Sequence, residues 1–372
     1  MEKIFVREGE NSMPDREEVK EILNSREEKE EEGEKEEPVL HDIKWLREQN
    51  QERVREFQNK ARARGEGYHC PHFPLFDKNI EGLTSGLYMF AGQSNHGKSA
   101  FALSLAWDYM SCPENRLYLV YFSLDDTAND IYPRVISMNE DIPISVASKP
   151  VMYEHKRDND LMNAEYYTEL LNKGQAGAEQ LIELGEKFTL LDGTDIACGE
   201  DILVKCEQIK TAIRTEDRRA NIIVVIDSLM DIEWRDKSFK SDKELNDYTA
   251  KQIKKWSVEI LDCPIFGTLH LRKIDQNRRP MISDVKESGR YAYEASFLGL
   301  IHNDVSCNKQ AATICIRDEE DNITPVIELN WAKNKISSFK GTTYHTFVTN
   351  HSLVRECPED VAERFDRLIY AS

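Results

Sequence analysis

The sequence predicts an α/β fold, a mostly parallel sheet with helices on both faces. Three observations point to it. Uniformly apolar runs at Gly86–Gly92, Leu117–Ser123, Asn221–Asp227 and Cys263–His270 have the length and composition of strands buried on both sides. Stretches of helical period separate them, and strands alternating with helices pair in parallel through crossovers. The first run also opens into a glycine-containing loop, followed at once by apolar residues at helical spacing.

The 372 residues carry 49 Lys plus Arg against 68 Asp plus Glu, a formal charge of −19. Overall basicity therefore cannot hold this chain to nucleic acid, and any such contact must come from a local patch. Eight cysteines are too sparse for a disulfide scaffold. No apolar run reaches the ~18 residues of a membrane span, and Met1–Ser12 shows no apolar signal-peptide core. The expectation is a cytoplasmic protein with no membrane partner.

From the N-terminus, Met1–Glu37 holds fifteen acidic and seven basic residues. Arg26–Glu37 offers almost nothing to bury, so residues 1–40 read as an acidic, disordered tail. A solvated tail and an arm that docks a basic partner both fit it. In residues 41–66, Ile43, Leu46, Val54, Phe57 and Ala61 recur at helical spacing between basic residues, and Gly65 and Gly67 end the pattern. This predicts an amphipathic helix whose stripe needs a partner surface. His69, Cys70 and His72 lack a second ligand pair nearby and read as turn residues.

The run Gly86–Gly92 leads into Gly92, Gln93, Ser94, Asn95, His96, Gly97, Lys98 and Ser99. This fits G-x-x-x-x-G-K-S/T, the phosphate-binding P-loop. Glycines let backbone N–H groups turn inward on phosphate oxygens, and the helix N-terminus adds its positive end. Lys98 is placed to reach the β- and γ-phosphates of ATP, and Ser99 to ligate Mg²⁺. Asp227 closes a buried strand at the end where open α/β sheets bind ligands, which makes it the second Mg²⁺ ligand. Asp125 and Asp126 follow the strand Leu117–Ser123. The local sequence fits either a water-orienting carboxylate or a cap for a helix at Thr127–Met138. His270, at the tip of Cys263–His270, is either a γ-phosphate sensor or structural. Later strands at Ser296–His302, Ala311–Arg317 and Val326–Trp331, with fewer helices between, predict an antiparallel edge.

The ordered series of segments resembles the RecA-like motor domain of DnaB-type replicative helicases, from about Pro74 to Glu356. GLTSGLYMFAGQSNHGKSAFALSLA resembles the family's P-loop region, YFSLDD its strand ending Ser-Leu-Glu, and VVIDSLMDI its Mg²⁺-ligating aspartate strand. PIFGTLHLRK places His270 where relatives carry Gln or His. Arg279–Gly289, RPMISDVKESG, is similar to the DNA-loop segment that reads Asp-Leu-Arg-Glu-Ser-Gly. WAKNKISSFKG resembles the strand with a Lys-x-Arg pair that reaches the next subunit's ATP.

The resemblance implies a motor over residues 67–357 followed by a C-terminal helix in 358–372. It implies an ATP hydrolase with six copies around single-stranded DNA and nucleotide at each subunit boundary. Lys98, Asp125, Asp227, His270, Lys333 and Lys335 are the implied catalytic residues. Lys286, Glu287 and Gly289 would follow the DNA backbone, with Arg235, Lys237 and Lys240 in a second channel loop. A primase or loader protein is an implied partner. Asp125 replaces the family's Glu, and Lys335 replaces its Arg. Only the tail and a helix, in the place of the family's linker helix, precede the motor. The alternative is a RecA-like, DNA-binding ATPase that does not unwind.

Overall fold

The computed structural model describes residues 42–235, 237–273, 278–285 and 289–370. The acidic tail lies outside them. The chain divides at Gly65 into two units. In the first, helix α1 (Ile43–Arg64) begins where the Asp42 carboxylate accepts the Trp45 N–H at 2.8 Å, and ends at Gly65, whose φ is 60°. Ile43, Leu46, Val54 and Phe57 are exposed along it.

The second unit is built on ten strands among the described residues. They are β1 (Gly86–Gly92), β2 (Leu117–Ser123), β3 (Phe188–Asp192), β4 (Asn221–Asp227), β5 (Pro264–His270), β6 (Phe297–Asn303), β7 (Cys315–Arg317), β8 (Ile323–Asn334), β9 (Thr342–Val348) and β10 (Leu353–Glu356). Their order is β10-β9-β8-β6-β1-β5-β4-β2-β3, with β7 beside β8. From β3 to β6 every pairing is parallel, and β8, β9 and β10 add an antiparallel edge. The expected RecA-like architecture is thus present.

Alternation explains the two cores. Tyr88 and Phe90 of β1 point into one apolar cluster, while Leu87, Met89 and Ala91 point into the other. The first cluster receives helix α3 (Lys98–Ser111), whose side chains are buried almost all round, as a helix with no polar face must be. Helix α2 (Pro74–Ile80) adds Phe76 and Ile80 to the same side.

Several boundaries differ from expectation. Between β2 and β3 stand four helices: α4 (Ala128–Glu140), α5 (Ile144–Ser148), α6 (Pro150–Asn159) and α7 (Ala164–Glu183). The sequence suggested only the first. The others share a small separate core of Ile136, Ile142, Val146, Tyr153 and Leu170, too narrow a stripe to stand out. Helices α8 (Gly199–Glu216) and α9 (Asp242–Lys255) follow β3 and β4. After β5 and β6 come α10 (Gly289–Glu294) and α11 (Asp304–Asn308).

The strand expected over 311–317 shrinks to three residues. The Asp304 carboxylate accepts the Thr313 and Ile314 N–H groups at 2.7 and 2.9 Å, so those donors are lost to a sheet. The strand expected at Val326–Trp331 extends at both ends. The last helix, α12 (Glu359–Tyr370), packs Phe365 against Ile314, Val326 and Tyr344.

His345 on β9 is fully buried, with its ring centroid 5.8 Å from Phe73 and 4.9 Å from Phe101. Its Nε2 meets Thr343 Oγ1 at 3.0 Å. Burial lowers its pKa to about 3. An unfolded histidine titrates near 6.5, so below that pH the unfolded chain binds a proton that the folded chain refuses. Stability is therefore lost as pH falls from about 6.5 toward 3, by about 1.4 kcal/mol at pH 5.5 for this group. Thermal melts at pH 7.5 and 5.5 check this: His345→Leu should show the smaller drop between the two.

Candidate active site

The P-loop joins β1 to α3. Asn95 and Gly97 have φ of 62° and 93°, the left-handed region that favours glycine or asparagine. A Cβ on Gly97 would also stand 2.8 Å from Ile327 Cδ1. No side chain caps the N-terminus of α3. Its first N–H groups and its positive dipole end are left for an anion.

Lys98 is buried and its Nζ donates to the Gln93 carbonyl at 3.0 Å. Burial lowers its pKa, and the carboxylates of Asp227 and Asp125 oppose that shift. An ammonium held beside two carboxylates at a helix N-terminus suits a polyphosphate with its cation. The His96 side chain turns away from this cradle, and its Nδ1 accepts the Asn303 N–H at 3.1 Å. Only its backbone remains for phosphate.

Asp227 is oriented by two hydroxyls. Tyr121 donates to its Oδ2 at 2.9 Å, and Thr268 donates to its Oδ1. The register places Ser123 beside Asp227 and Gly92 beside His270, so the ends of β2, β4, β5 and β1 converge. Ser99 is half-buried in the first turn of α3. Hydroxyl and carboxylate oxygens are the hard donors that Mg²⁺ prefers, so this pair fits the ion. Asp125 is exposed, and no hydrogen bond or ion pair engages it among the described residues. The cap of α4 is Thr127, in a reciprocal box with Asp130, while Asp126 pairs with Arg134 at 2.7 Å. The two aspartates are therefore not the helix cap.

His270 Nε2 lies 4.0 Å from Asp231 Oδ2, which accepts the Ser228 hydroxyl at 2.5 Å. Directly after His270, Leu271 forms an antiparallel bridge with Val285, and the Arg272 N–H donates to the Asp284 carbonyl at 2.8 Å. Two forks hold the returning segment. Arg278 donates to both oxygens of Asp284 at 2.8 Å. Arg279 donates to both oxygens of Glu328 on β8, at 2.6 and 3.1 Å. Lys286 and Glu287 lie outside the described residues, and Gly289 opens α10.

These anchors were not singled out in the sequence. Glu328, a lone carboxylate within the apolar run VIELNW, was the available signal, because a charge in a buried strand requires a partner. The other predicted cations behave unequally. Arg235 is tied to Asp201 at 2.8 Å, and its N–H donates to Glu200. It is a fastener for α8 in this structure and not a free cation. Lys237 sits over the Tyr248 ring at 5.2 Å, while the Lys240 N–H donates to Glu244. Lys333 and Lys335 both donate to the Tyr293 carbonyl, at 2.7 and 2.8 Å, and Lys333 also to Ala292. They cap the helix that Gly289 opens. Burial, with Lys335 beside it, lowers the Lys333 pKa to about 8.

Comparison with known proteins agrees with this fold. The family model for the DnaB-like helicase C terminal domain matches residues 71–341. The replicative DNA helicase DnaB of Rickettsia felis is 24% identical over 234 residues, 59% of this chain and 42% of that one. The enzyme of the same name from Geobacillus stearothermophilus is 23% identical over 243 residues, 64% of this chain and 48% of that one. The matches span less than half of either relative. Among solved structures, an isolated ATPase domain superposes with a TM-score of 0.65 at 20% identity, covering 83% of this chain and 98% of that one. A DnaB-like replicative helicase, solved with attention to its interactions with primase, gives 0.63 at 20% identity, covering 92% and 74%. With most of its length matched by that family model, the chain belongs to the DnaB-like helicase C-terminal domain family.

Proposed function

We propose that this chain is an ATP-driven DNA helicase that assembles into a ring, most simply a hexamer, and moves along single-stranded DNA in replication. One observation carries the coupling. The strand ending in His270, beside the P-loop strand, continues within one residue into the Leu271–Val285 bridge. Val285 directly precedes Lys286, Glu287 and Gly289, the residues expected to follow DNA. A shift at the γ-phosphate end of β5 thus has a short, hydrogen-bonded route to the DNA loop.

In this reading the P-loop backbone and Lys98 hold the phosphates, and Ser99 and Asp227 hold Mg²⁺. Bound there, Mg²⁺ offsets charge on the transferring phosphoryl group. Asp125 orients the attacking water, and its exposure leaves it open to that water. Lys333 and Lys335 reach the neighbouring subunit's nucleotide after leaving the α10 carbonyls. A lysine supplies charge without arginine's planar fork, so turnover is expected to be modest. Lys237 and Lys240 remain candidates for a second channel contact. A primase is a candidate partner, since the similar DnaB-like helicase is one that interacts with primase. The place of action is the cytoplasm, and no described helix is long and apolar enough to cross a membrane.

The RecA-like ATPase without unwinding is the second reading. The cis capping of α10 by Lys333 and Lys335 favours it. Mass photometry with ATP and Mg²⁺, with and without single-stranded DNA, followed by a forked-duplex unwinding assay, separates the two. Closed rings that unwind support the helicase, whereas open filaments or dimers that hydrolyse ATP without unwinding overturn it. Lys335→Ala should lower DNA-stimulated turnover at least about tenfold while leaving nucleotide affinity of the lone subunit unchanged. Steady-state hydrolysis and a fluorescent-nucleotide titration read the two effects.

A further inference from the structure

We propose that His96, His302 and Cys307 form a site for one transition-metal ion of the Zn²⁺ class, behind the P-loop and apart from the Mg²⁺ position. The three side chains come from the P-loop, β6 and α11, and their donor atoms all lie within 4.8 Å of one another. His96 Nε2 stands 3.8 Å from Cys307 Sγ. Nitrogen and sulfur ligands at ~2.0 and ~2.3 Å from a tetrahedral ion are separated by about 3.5 Å, so little closure is needed.

The donor set has two imidazoles, one thiol and no carboxylate. That composition selects zinc-like ions over Mg²⁺ or Ca²⁺. His302 is 6% exposed, and its ring centroid lies 5.6 Å from that of His96. His302 also lines a cavity of about 440 Å³ with Arg279, Met281 and Glu328.

The present hydrogen bonds define what loading changes. With His96 Nδ1 accepting from the Asn303 N–H, the neutral ring carries its proton on Nε2, facing Cys307. Coordination moves that proton to Nδ1, gives up the Asn303 bond and releases the thiol proton to solvent. The ion therefore fastens the P-loop to the β6–α11 junction in place of one hydrogen bond. The site stands on its own geometry and does not depend on the helicase reading.

The test uses the full chain, reduced and stripped of metal, with no nucleotide present. Co²⁺ is titrated first and then displaced by Zn²⁺. The expected result is one equivalent of Co²⁺ with the visible bands of a tetrahedral ion and a near-ultraviolet thiolate band, both lost on adding Zn²⁺. Cys307→Ser should abolish the thiolate band, and His302→Gln should weaken binding at least about tenfold. Cys70→Ser should change neither, and circular dichroism verifies that each variant is folded. Absence of the bands at one equivalent, or bands that persist unchanged in folded Cys307→Ser and His302→Gln, overturns the proposal.

Discussion

Lys98→Ala should lower ATP hydrolysis at least about 100-fold, the scale of removing one charged donor from a preorganised transition-state site. The size of the effect follows from the position. Lys98 is buried at the N-terminus of α3, its ammonium is held by the Gln93 carbonyl, and the carboxylates of Asp227 and Asp125 face it. Water cannot easily take its place, and no other cation among the described residues is placed in the loop. Nucleotide affinity should fall less than turnover, because charge on the phosphoryl oxygens changes most in the transition state. Single-turnover hydrolysis and a fluorescent-nucleotide titration separate the two quantities. Equal losses in both would assign Lys98 to ground-state binding alone. The variant should remain folded, since Ala lies easily within a helix.

Arg279→Ala should cost about 1–3 kcal/mol of stability, or melt the segment after β5 locally. Glu328 is 2% exposed on β8, and the Arg279 fork occupies both of its oxygens. Burial raises the Glu328 pKa, while Arg279 pulls it down. Truncating the guanidinium leaves a buried carboxylate without its partner. Replacing both residues by apolar ones of similar volume should recover most of the loss, because the cost of desolvating the Glu328 carboxylate then disappears together with its half-exposed partner. Chemical denaturation of the two single variants and the double variant measures the difference. Arg279→Ala should also weaken single-stranded DNA binding, because the segment it anchors leads directly to Lys286. Unchanged stability in Arg279→Ala would show that solvent reaches Glu328.

Much of the motor was legible because burial on two faces leaves a plain mark. Runs such as NIIVVID and GLYMFAG contain no polar residue except at their tips, and those tips carry Asp227 and Gly92. The P-loop was legible for a related reason, since few residue types satisfy its backbone. Gly97 needs both a positive φ and the space that Ile327 denies a side chain. The helices over 144–183 were obscure because they bury only a narrow stripe against α4 and one another. The short β7 was overextended because nothing local announces that Asp304 captures the Thr313 and Ile314 amides.

The sequence by itself determined the strand-forming runs, the phosphate loop, the carboxylate at the end of β4 and the family likeness. Each rests on local composition or on spacing within a few residues. Only the tertiary structure decided which groups meet. It turned His96 away from phosphate toward His302 and Cys307, and it fastened Arg235 to Asp201. It joined Arg279 to Glu328, and it seated Lys333 and Lys335 on the carbonyl end of the helix that Gly289 opens. Side-chain charges interact over a few ångströms through space. The partners lie from 34 to 211 residues apart along the chain, so only strand order and register bring them within reach.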